Sequence, residues 1–259
     1  MSDLGDRAAE TDWDAVTYDR VAEPMTRWGA TVLERLSLNG DETVLDCGCG
    51  SGRVTEQLVD RLPAGRVVAL DASPNMLDEA RRRLAPAGDR VSFLQADLLQ
   101  LTPAMLGADA PVDALFSTAT FHWVQDHDRL FANLAAVVRP GGQLIAQCGA
   151  EGNLDHLLGV VRGLGVDRPG LWEYASPNDT RRRLETAGFE AIDVWTNEEP
   201  TAFEDPELLV NYLESVCLRQ LVGTMSPPRL AVFLRTVVDA MPELVIDYVR
   251  LNISARRSR

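Results

Sequence analysis

Apolar runs alternate with helical segments along most of the chain. Short runs rich in Val, Leu, Ala and Phe are typical of buried strands in a parallel sheet. Such runs occur at Val44–Asp46, Arg66–Asp71, Val91–Asp97, Val112–Ser117, Gln143–Cys148, Ala191–Trp195 and Tyr248–Ser254. Because strands that alternate with helices favour parallel pairing through helical crossovers, the pattern predicts an α/β fold.

The helical segments have apolar residues three and four positions apart. They are predicted at Trp13–Leu36 with a break at Pro24, and at Arg53–Leu62, Arg129–Val138, Asn178–Ala187, Asp205–Val222 and Pro228–Met241. A turn is predicted at Arg139–Gly142, directly after the helix Arg129–Val138. The last two helices lie between the final two strands, so we expect them to form a cap that buries its apolar faces over the sheet edge.

Composition and charge narrow the classes of function. With 259 residues and 46% hydrophobic content, one principal core is expected. No run approaches the ~20 apolar residues that a membrane span needs, and residues 1–14 are acidic and polar, which predicts a cytoplasmic protein without a membrane partner. A formal charge of −14 disfavours a nucleic-acid partner, since binding a polyanion requires clustered positive charge. A small-molecule substrate is therefore predicted.

The four cysteines contain no C-x-x-C pair. Two of them, Cys47 and Cys49, lie within a glycine-rich loop. This spacing favours free buried thiols over a disulfide, and no metal site is predicted.

The glycine-rich loop follows the first strand and reads Asp46-Cys47-Gly48-Cys49-Gly50-Ser51-Gly52. Glycine is needed where the backbone adopts positive φ or lies against a ligand. A phosphate-binding loop is excluded because the chain contains no lysine. A dinucleotide loop has the spacing G-x-G-x-x-G, and the acid before this loop would repel a pyrophosphate. A tight turn with no ligand remains the alternative.

Two further strands also end in acids. Asp71 follows the second strand and Asp97 the third, so three carboxylates are expected at the same edge of the sheet, where ligands of α/β proteins bind. Asp71 could accept two hydrogen bonds from a cis-diol. Ser73 is predicted to cap the next helix, which places Met76 in its first turn, where the thioether could cover a flat ring.

The loop resembles motif I of the class I S-adenosylmethionine-dependent methyltransferases, and the resemblance covers about residues 40 to 150. It implies a Rossmann-like, mostly parallel sheet of seven strands with an antiparallel last strand, helices on both faces and S-adenosyl-L-methionine as cofactor. It also implies that Asp46 holds the cofactor's ammonium group, Asp71 its ribose, and Asp97 and Leu98 its adenine. The remaining cofactor-binding residues that it implies are Gly48, Gly50, Gly52, Ala72, Met76 and Thr118, with Trp13 and Tyr18 on an N-terminal lid.

The phrase Phe121-His122-Trp123-Val124-Gln125-Asp126-His127 follows the fourth strand, where residues face the reactive end of a bound ligand. It resembles the trans-aconitate methyltransferase group, which usually has Gln at the position of His122, and the insect juvenile hormone acid methyltransferases. Both groups methylate carboxylates. A carboxylate is already anionic at pH 7, so His122 and Trp123 would act as donors that orient it.

Other functions remain open on the sequence. His122 could be the general base for a phenol or an amine acceptor. A cofactor-binding protein without turnover and a dehydrogenase are less favoured, the latter because of the loop spacing. We expect a lid at 1–38, a cofactor-binding core at 39–200, a cap at 201–243 and a last strand with a tail at 244–259, in a monomer or a homodimer.

Overall fold

The computed structural model describes residues 23–223 and 225–259, the first four of them by their backbone alone. Its strands are β1 (Thr43–Cys47), β2 (Arg66–Asp71), β3 (Val91–Gln95), β4 (Val112–Thr118), β5 (Val138–Gly149), β6 (Phe189–Glu198), β7 (Thr201–Ala202), β8 (Val245–Ile246) and β9 (Val249–Arg257). Its α-helices are α1 (Glu23–Leu33), α2 (Arg53–Asp60), α3 (Pro74–Leu84), α4 (Pro103–Leu106), α5 (His127–Val137), α6 (Asp155–Gly163), α7 (Pro177–Thr186), α8 (Pro206–Tyr212), α9 (Arg219–Val222) and α10 (Pro227–Ala240).

Seven strands form one sheet in the order β3-β2-β1-β4-β5-β9-β6. Strands β1 to β5 pair in parallel, whereas β9 is antiparallel to both of its neighbours, β5 and β6. The order reverses at β1 and β4, which creates the crevice at the carboxyl edge where ligands bind in such sheets. The predicted α/β fold with an antiparallel last strand is confirmed.

The central strands are buried on both faces. Val44 packs into a cluster with Leu58 of α2 and Leu77 of α3, while Leu45 packs on the other side with Phe131 of α5. Burial on both faces explains why these strands appear in the sequence as continuous apolar runs.

Side-chain caps fix where two of the helices begin. The Ser73 hydroxyl accepts a hydrogen bond from the Met76 amide at 3.2 Å, as the sequence predicted. The Asp126 carboxylate accepts one from the Arg129 amide at 2.9 Å. Helix α5 therefore begins at His127, two residues before the predicted start, because Asp126 satisfies a free amide of its first turn.

The segment Arg139–Gly142 was predicted as a turn, but it belongs to β5, which begins at Val138. The ladder between β4 and β5 shifts register there, and Gly141 has a φ of 75°. A bulge of this kind bends a strand without ending it, so the local glycine signal was read as a turn.

The first cap helix was predicted as one segment, Asp205–Val222, but it is interrupted by a π-helical turn at Leu213–Cys217. The Leu218 amide donates to the Leu213 carbonyl at 2.8 Å, which closes the wider turn. At the base of the cap, β7 and β8 form a two-stranded ribbon that the sequence did not predict.

The cap shares a hydrophobic cluster with elements outside it. Leu209 and Leu234 of the cap are fully buried in this cluster together with Leu157 of α6, Trp28 of α1 and Tyr248. The cap is thus part of a second core. Replacing it with a short loop would expose the apolar side chains of that core.

No helix in the described part of the chain is long and apolar enough to cross a bilayer. All four cysteines are buried and none is in a disulfide. Within the described residues, no group of three or more His, Cys, Asp or Glu side chains is arranged to hold a metal ion.

Candidate active site

The acids at the strand ends lie along one edge of the sheet, because β1, β2 and β3 are parallel neighbours. Asp46 lies near the end of β1 and Asp71 ends β2. Asp97 follows β3, is exposed, and caps a short 3₁₀ turn by accepting a hydrogen bond from the Leu99 amide at 2.8 Å.

The glycine loop folds back onto β2. The amides of Gly48 and Cys49 both donate to the Leu70 carbonyl, at 2.8 and 2.9 Å. A Cβ on Gly48 would lie 2.2 Å from the Thr120 hydroxyl oxygen, whereas a Cβ on Gly50 would meet nothing within 4 Å. Gly48 is therefore needed for packing and Gly50 leaves open space beside the loop.

These two glycines give a matched pair of variants. Both have positive φ, 84° and 54°, so alanine is strained at either position. Gly48→Ala also clashes with Thr120, and we expect it to lower the free energy of unfolding by about 2 to 4 kcal/mol. Gly50→Ala should cost about 1 to 2 kcal/mol from strain alone. Urea denaturation measures both, and equal losses would contradict the packing role of Gly48.

Asp71 joins the glycine loop to the start of α3. Its Oδ2 accepts a hydrogen bond from the Gly50 amide at 2.9 Å, and its Oδ1 accepts one from the Ser73 amide at 2.9 Å. Burial raises its pKa, although the backbone amides of Ser73, Gly50 and Ala72 act in the opposite direction. The side chain remains partly exposed, so each oxygen has capacity for a further donor.

Asp46 is only 2% exposed, and its Oδ2 accepts a hydrogen bond from the Thr55 hydroxyl at 2.7 Å. Burial, and to a lesser extent the charge of Asp71, raises the pKa of its carboxyl to about 7. Among the ion pairs of the described residues, none involves Asp46. A cation placed here would favour the ionised carboxylate.

The other predicted cofactor-binding residues differ in exposure. Ala72 is exposed and Thr118 is partly exposed, whereas Met76 and Leu98 are buried. Trp13 and Tyr18 lie outside the described residues.

His122 and Trp123 lie in a 3₁₀ turn just beyond β4. His122 is 8% exposed, and its Nδ1 accepts a hydrogen bond from the Gly149 amide at 3.3 Å. The ring proton is therefore assigned to Nε2, which makes Nε2 a donor. Burial, together with the charges of Arg250 and His127, holds the pKa of His122 well below its usual value. His122 is thus neutral at pH 7.

Two aromatic residues from the loop between α6 and α7 join this turn. The Glu173 amide donates to the His122 carbonyl at 2.9 Å, which brings that loop against the turn. Trp172 lies 5.8 Å from Trp123 and stacks on Tyr174 at 5.9 Å between ring centroids. A cavity of about 200 Å³ borders Trp172 and Tyr174 and reaches Leu221 of the cap. The sequence assigned no role to this loop, although its closely spaced aromatics were a signal.

Arg250 at the start of β9 was also missed by the sequence reasoning. It is 2% exposed, and its guanidinium lies 4.8 Å above the Trp28 ring and 6.0 Å from the Tyr248 ring. Its Nε has no hydrogen-bond partner, and among the described residues no carboxylate pairs with it. Cation–π contacts are worth about 2 kcal/mol when desolvated, less than the several kcal/mol that burying an unpaired ion costs.

Comparison with known proteins identifies the family of this chain. Residues 44–142 match a family model described as a methyltransferase domain. Trans-aconitate 2-methyltransferase of Methylobacterium nodulans is 32% identical over 96% of this chain and 99% of its own length. The enzyme of the same description from Methylobacterium radiotolerans is 30% identical over 95% of this chain and 99% of its own.

A solved structure has the same fold at lower identity. Phosphoethanolamine N-methyltransferase 2 of Haemonchus contortus in complex with S-adenosyl-L-methionine is 17% identical, with a TM-score of 0.62 over 95% of this chain and 57% of that one. The chain therefore belongs to the class I S-adenosylmethionine-dependent methyltransferases, in the family that contains the trans-aconitate 2-methyltransferases.

Proposed function

We propose that this methyltransferase methylates a carboxylate oxygen of a small organic acid. The observation that carries the proposal is the hydrogen bond from the Gly149 amide to His122 Nδ1. It occupies the lone pair of the neutral imidazole and leaves Nε2–H as a donor. A donor suits an acceptor that is already anionic, whereas a phenol or an amine would need a base to take its proton.

The cofactor would bind along the strand ends described above. Asp46 would face its ammonium group, Asp71 its ribose hydroxyls, and Asp97 with the Leu98 amide its adenine. The buried Asp46 carboxyl, which forms no ion pair with a described residue, and the open space beside Gly50 fit such a ligand. When bound, S-adenosylmethionine supplies a methyl group on positively charged sulfur, and the new O–C bond forms as the C–S bond breaks and its electron pair returns to sulfur.

The chain's own contribution to the reaction would be positioning. His122 Nε2–H and the Trp123 indole would orient the acid, leaving one carboxylate oxygen directed at the methyl group. The aromatic side chains around them would exclude water, which strengthens these polar contacts. The cap, residues 201–243, would close the acceptor pocket, since it packs against the same second core as Trp28 and Tyr248.

The relatives support a carboxylate acceptor by their description as trans-aconitate 2-methyltransferases. The test is incubation of the protein with labelled S-adenosylmethionine and a pool of acids, phenols and amines that includes trans-aconitate. We expect the label in methyl esters, from which alkaline hydrolysis releases labelled methanol. Label in stable ethers or methylamines would contradict the proposal.

Two substitutions of His122 test its role with the identified acceptor. His122→Gln keeps an oxygen for the Gly149 amide and an amide donor, so the rate should stay within about tenfold of the original. His122→Leu has neither group, and we expect its rate to fall about 10²-fold. Rates are measured at saturating cofactor.

A general base would give a different outcome. His122→Gln would then lose about 10² to 10⁴ in rate, as much as the Leu variant. Because the pKa of His122 is lowered, a histidine base would titrate below pH 6.5, so the pH profile is measured from pH 5 to 9. A carboxylate acceptor predicts no step assignable to His122 in this range.

A further inference from the structure

We propose that Arg250 binds a second carboxylate of the acceptor, separate from the one that is methylated. The inference rests on the proposed function and assigns to Arg250 the selection of acids with at least two carboxylates. Arg250 would then be a specificity-determining residue of the acceptor site.

The first argument is the charge balance around Arg250. The groups that face its guanidinium are Cys148, Tyr174, Tyr212 and Tyr248. Burial raises the pKa of the Cys148 thiol to about 12, and it also raises the pKa values of Tyr174 and Tyr248 above their usual range. These three groups are neutral at pH 7, and among the described residues no carboxylate forms an ion pair with Arg250, so its positive charge has no partner of opposite sign.

The second argument is position. Arg250 pairs with Gly149 across the ladder of β5 and β9, and the Gly149 amide donates to His122 Nδ1. The charge of Arg250 also contributes to lowering the pKa of His122, and both side chains are buried. An acid held by His122 would therefore extend toward the guanidinium.

The third argument separates the two carboxylates chemically. A guanidinium binds a carboxylate through both oxygens, which occupies its lone pairs and draws off its negative charge. A carboxylate held in this way would be a poor nucleophile. The acid that reacts needs one oxygen free, which the single donor of His122 allows, so Arg250 is suited to the group that does not react.

The stacked and edge-on rings around Arg250 hold it in place without neutralising it. The Trp28 and Tyr248 rings meet edge to face with centroids 5.0 Å apart, and the Trp28 indole donates to Glu199 at 3.2 Å. Glu199 thus accepts a hydrogen bond from Trp28, whose ring lies against the Arg250 guanidinium. The site is prepared for a planar anion before one binds.

The experiment compares Arg250→Met, Arg250→Lys and the control Arg256→Met, which removes an exposed arginine from the same strand. The first probe is trans-aconitate, followed by whichever acid the pool assay identifies. Each acid is paired with an analogue in which the non-reacting carboxylate is a carboxamide. The readouts are KM and kcat for each compound, the affinity for S-adenosylmethionine, and the melting temperature of the unliganded protein.

We expect the original protein to prefer the intact acid to its carboxamide by roughly 100-fold in kcat/KM, and Arg250→Met to abolish this preference. The loss should appear mainly in KM, with cofactor affinity unchanged. Arg250→Lys keeps the charge and should retain part of the preference. The melting temperature of Arg250→Met should rise, because an unpaired buried charge is replaced by an apolar side chain of similar length.

The possible outcomes separate this inference from the proposed function. Efficient methylation of a monocarboxylic acid, or an unchanged preference in both Arg250 variants, would overturn the role of Arg250 while leaving carboxylate methylation intact. Methylation of an amine or a phenol in the pool assay would overturn both. If Arg250→Met does not fold, Arg250→Lys decides: a reduced preference for the intact acid supports the role of Arg250, and an unchanged preference overturns it.

Discussion

Replacing Asp71 with alanine is expected to weaken the binding of S-adenosylmethionine by about 2 to 4 kcal/mol, or roughly 30- to 1000-fold. The carboxylate is expected to accept hydrogen bonds from both ribose hydroxyls, and bonds to an ionised acceptor are the stronger kind. It also accepts a hydrogen bond from the Gly50 amide at 2.9 Å, so its removal frees the glycine loop. Calorimetric titration with S-adenosylmethionine measures the change.

The control for this prediction is Asp78→Ala, which removes an exposed carboxylate from the neighbouring helix α3. Its affinity for the cofactor should equal that of the original protein. Unchanged affinity in Asp71→Ala would refute the ribose assignment. NAD should not raise the melting temperature of the protein under conditions in which S-adenosylmethionine does.

The affinity for the cofactor should also depend steeply on pH through Asp46. With a pKa of about 7, this carboxyl is mostly protonated at pH 5, and a neutral carboxyl cannot pair with an ammonium group. Binding must then release a proton, so affinity at pH 7 should exceed affinity at pH 5 by about 50-fold. Asp46→Asn should bind the cofactor more weakly at pH 7 and lose most of this pH dependence. Any pH dependence that remains in the variant reports on Asp71.

The unliganded protein should show the opposite trend in stability. Its folded state holds a proton on Asp46 that the unfolded state releases near pH 4, so the stability that Asp46 contributes is fully present at low pH and is lost as pH rises toward 7. The change should amount to a few kcal/mol and vanish in Asp46→Asn. Urea denaturation at pH 5 and pH 7.5 measures the change in the free energy of unfolding. An equal change with pH in the original protein and in Asp46→Asn would contradict the raised pKa.

Local patterns in the sequence were sufficient to predict the sheet and the edge at which the three acids lie. Val44 and Leu45 are buried on opposite faces of β1, and the apolar run containing them indicated this directly. Ser73 caps α3 because its hydroxyl accepts a hydrogen bond from the amide of Met76, three residues further along the chain. Such features depend on neighbours in the chain, so they can be predicted without knowledge of tertiary contacts.

The sequence was less reliable where a local signal had two structural solutions. The glycines of Arg139–Gly142 are compatible with a turn or with a bulge, and pairing between β4 and β5 selects the bulge. The first cap helix has continuous helical spacing, yet a π-helical turn at Leu213–Cys217 interrupts it. In both places hydrogen bonding in the folded chain decided between alternatives that the spacing allowed.

The sequence by itself determined the α/β sheet, the glycine loop and the three acids at the strand ends, because strand periodicity places those acids at one edge. Only the tertiary structure decided which side chains surround the turn that we propose holds the acceptor. Trp28, His122, Trp172 and Arg250 are far apart in the chain, and antiparallel pairing of β9 with β5 brings Arg250 opposite Gly149, whose amide binds His122. This packing decides which nitrogen of His122 is protonated and leaves the charge of Arg250 unpaired. Burial and hydrogen-bond partners set the state of both groups, and no spacing in the sequence encodes them.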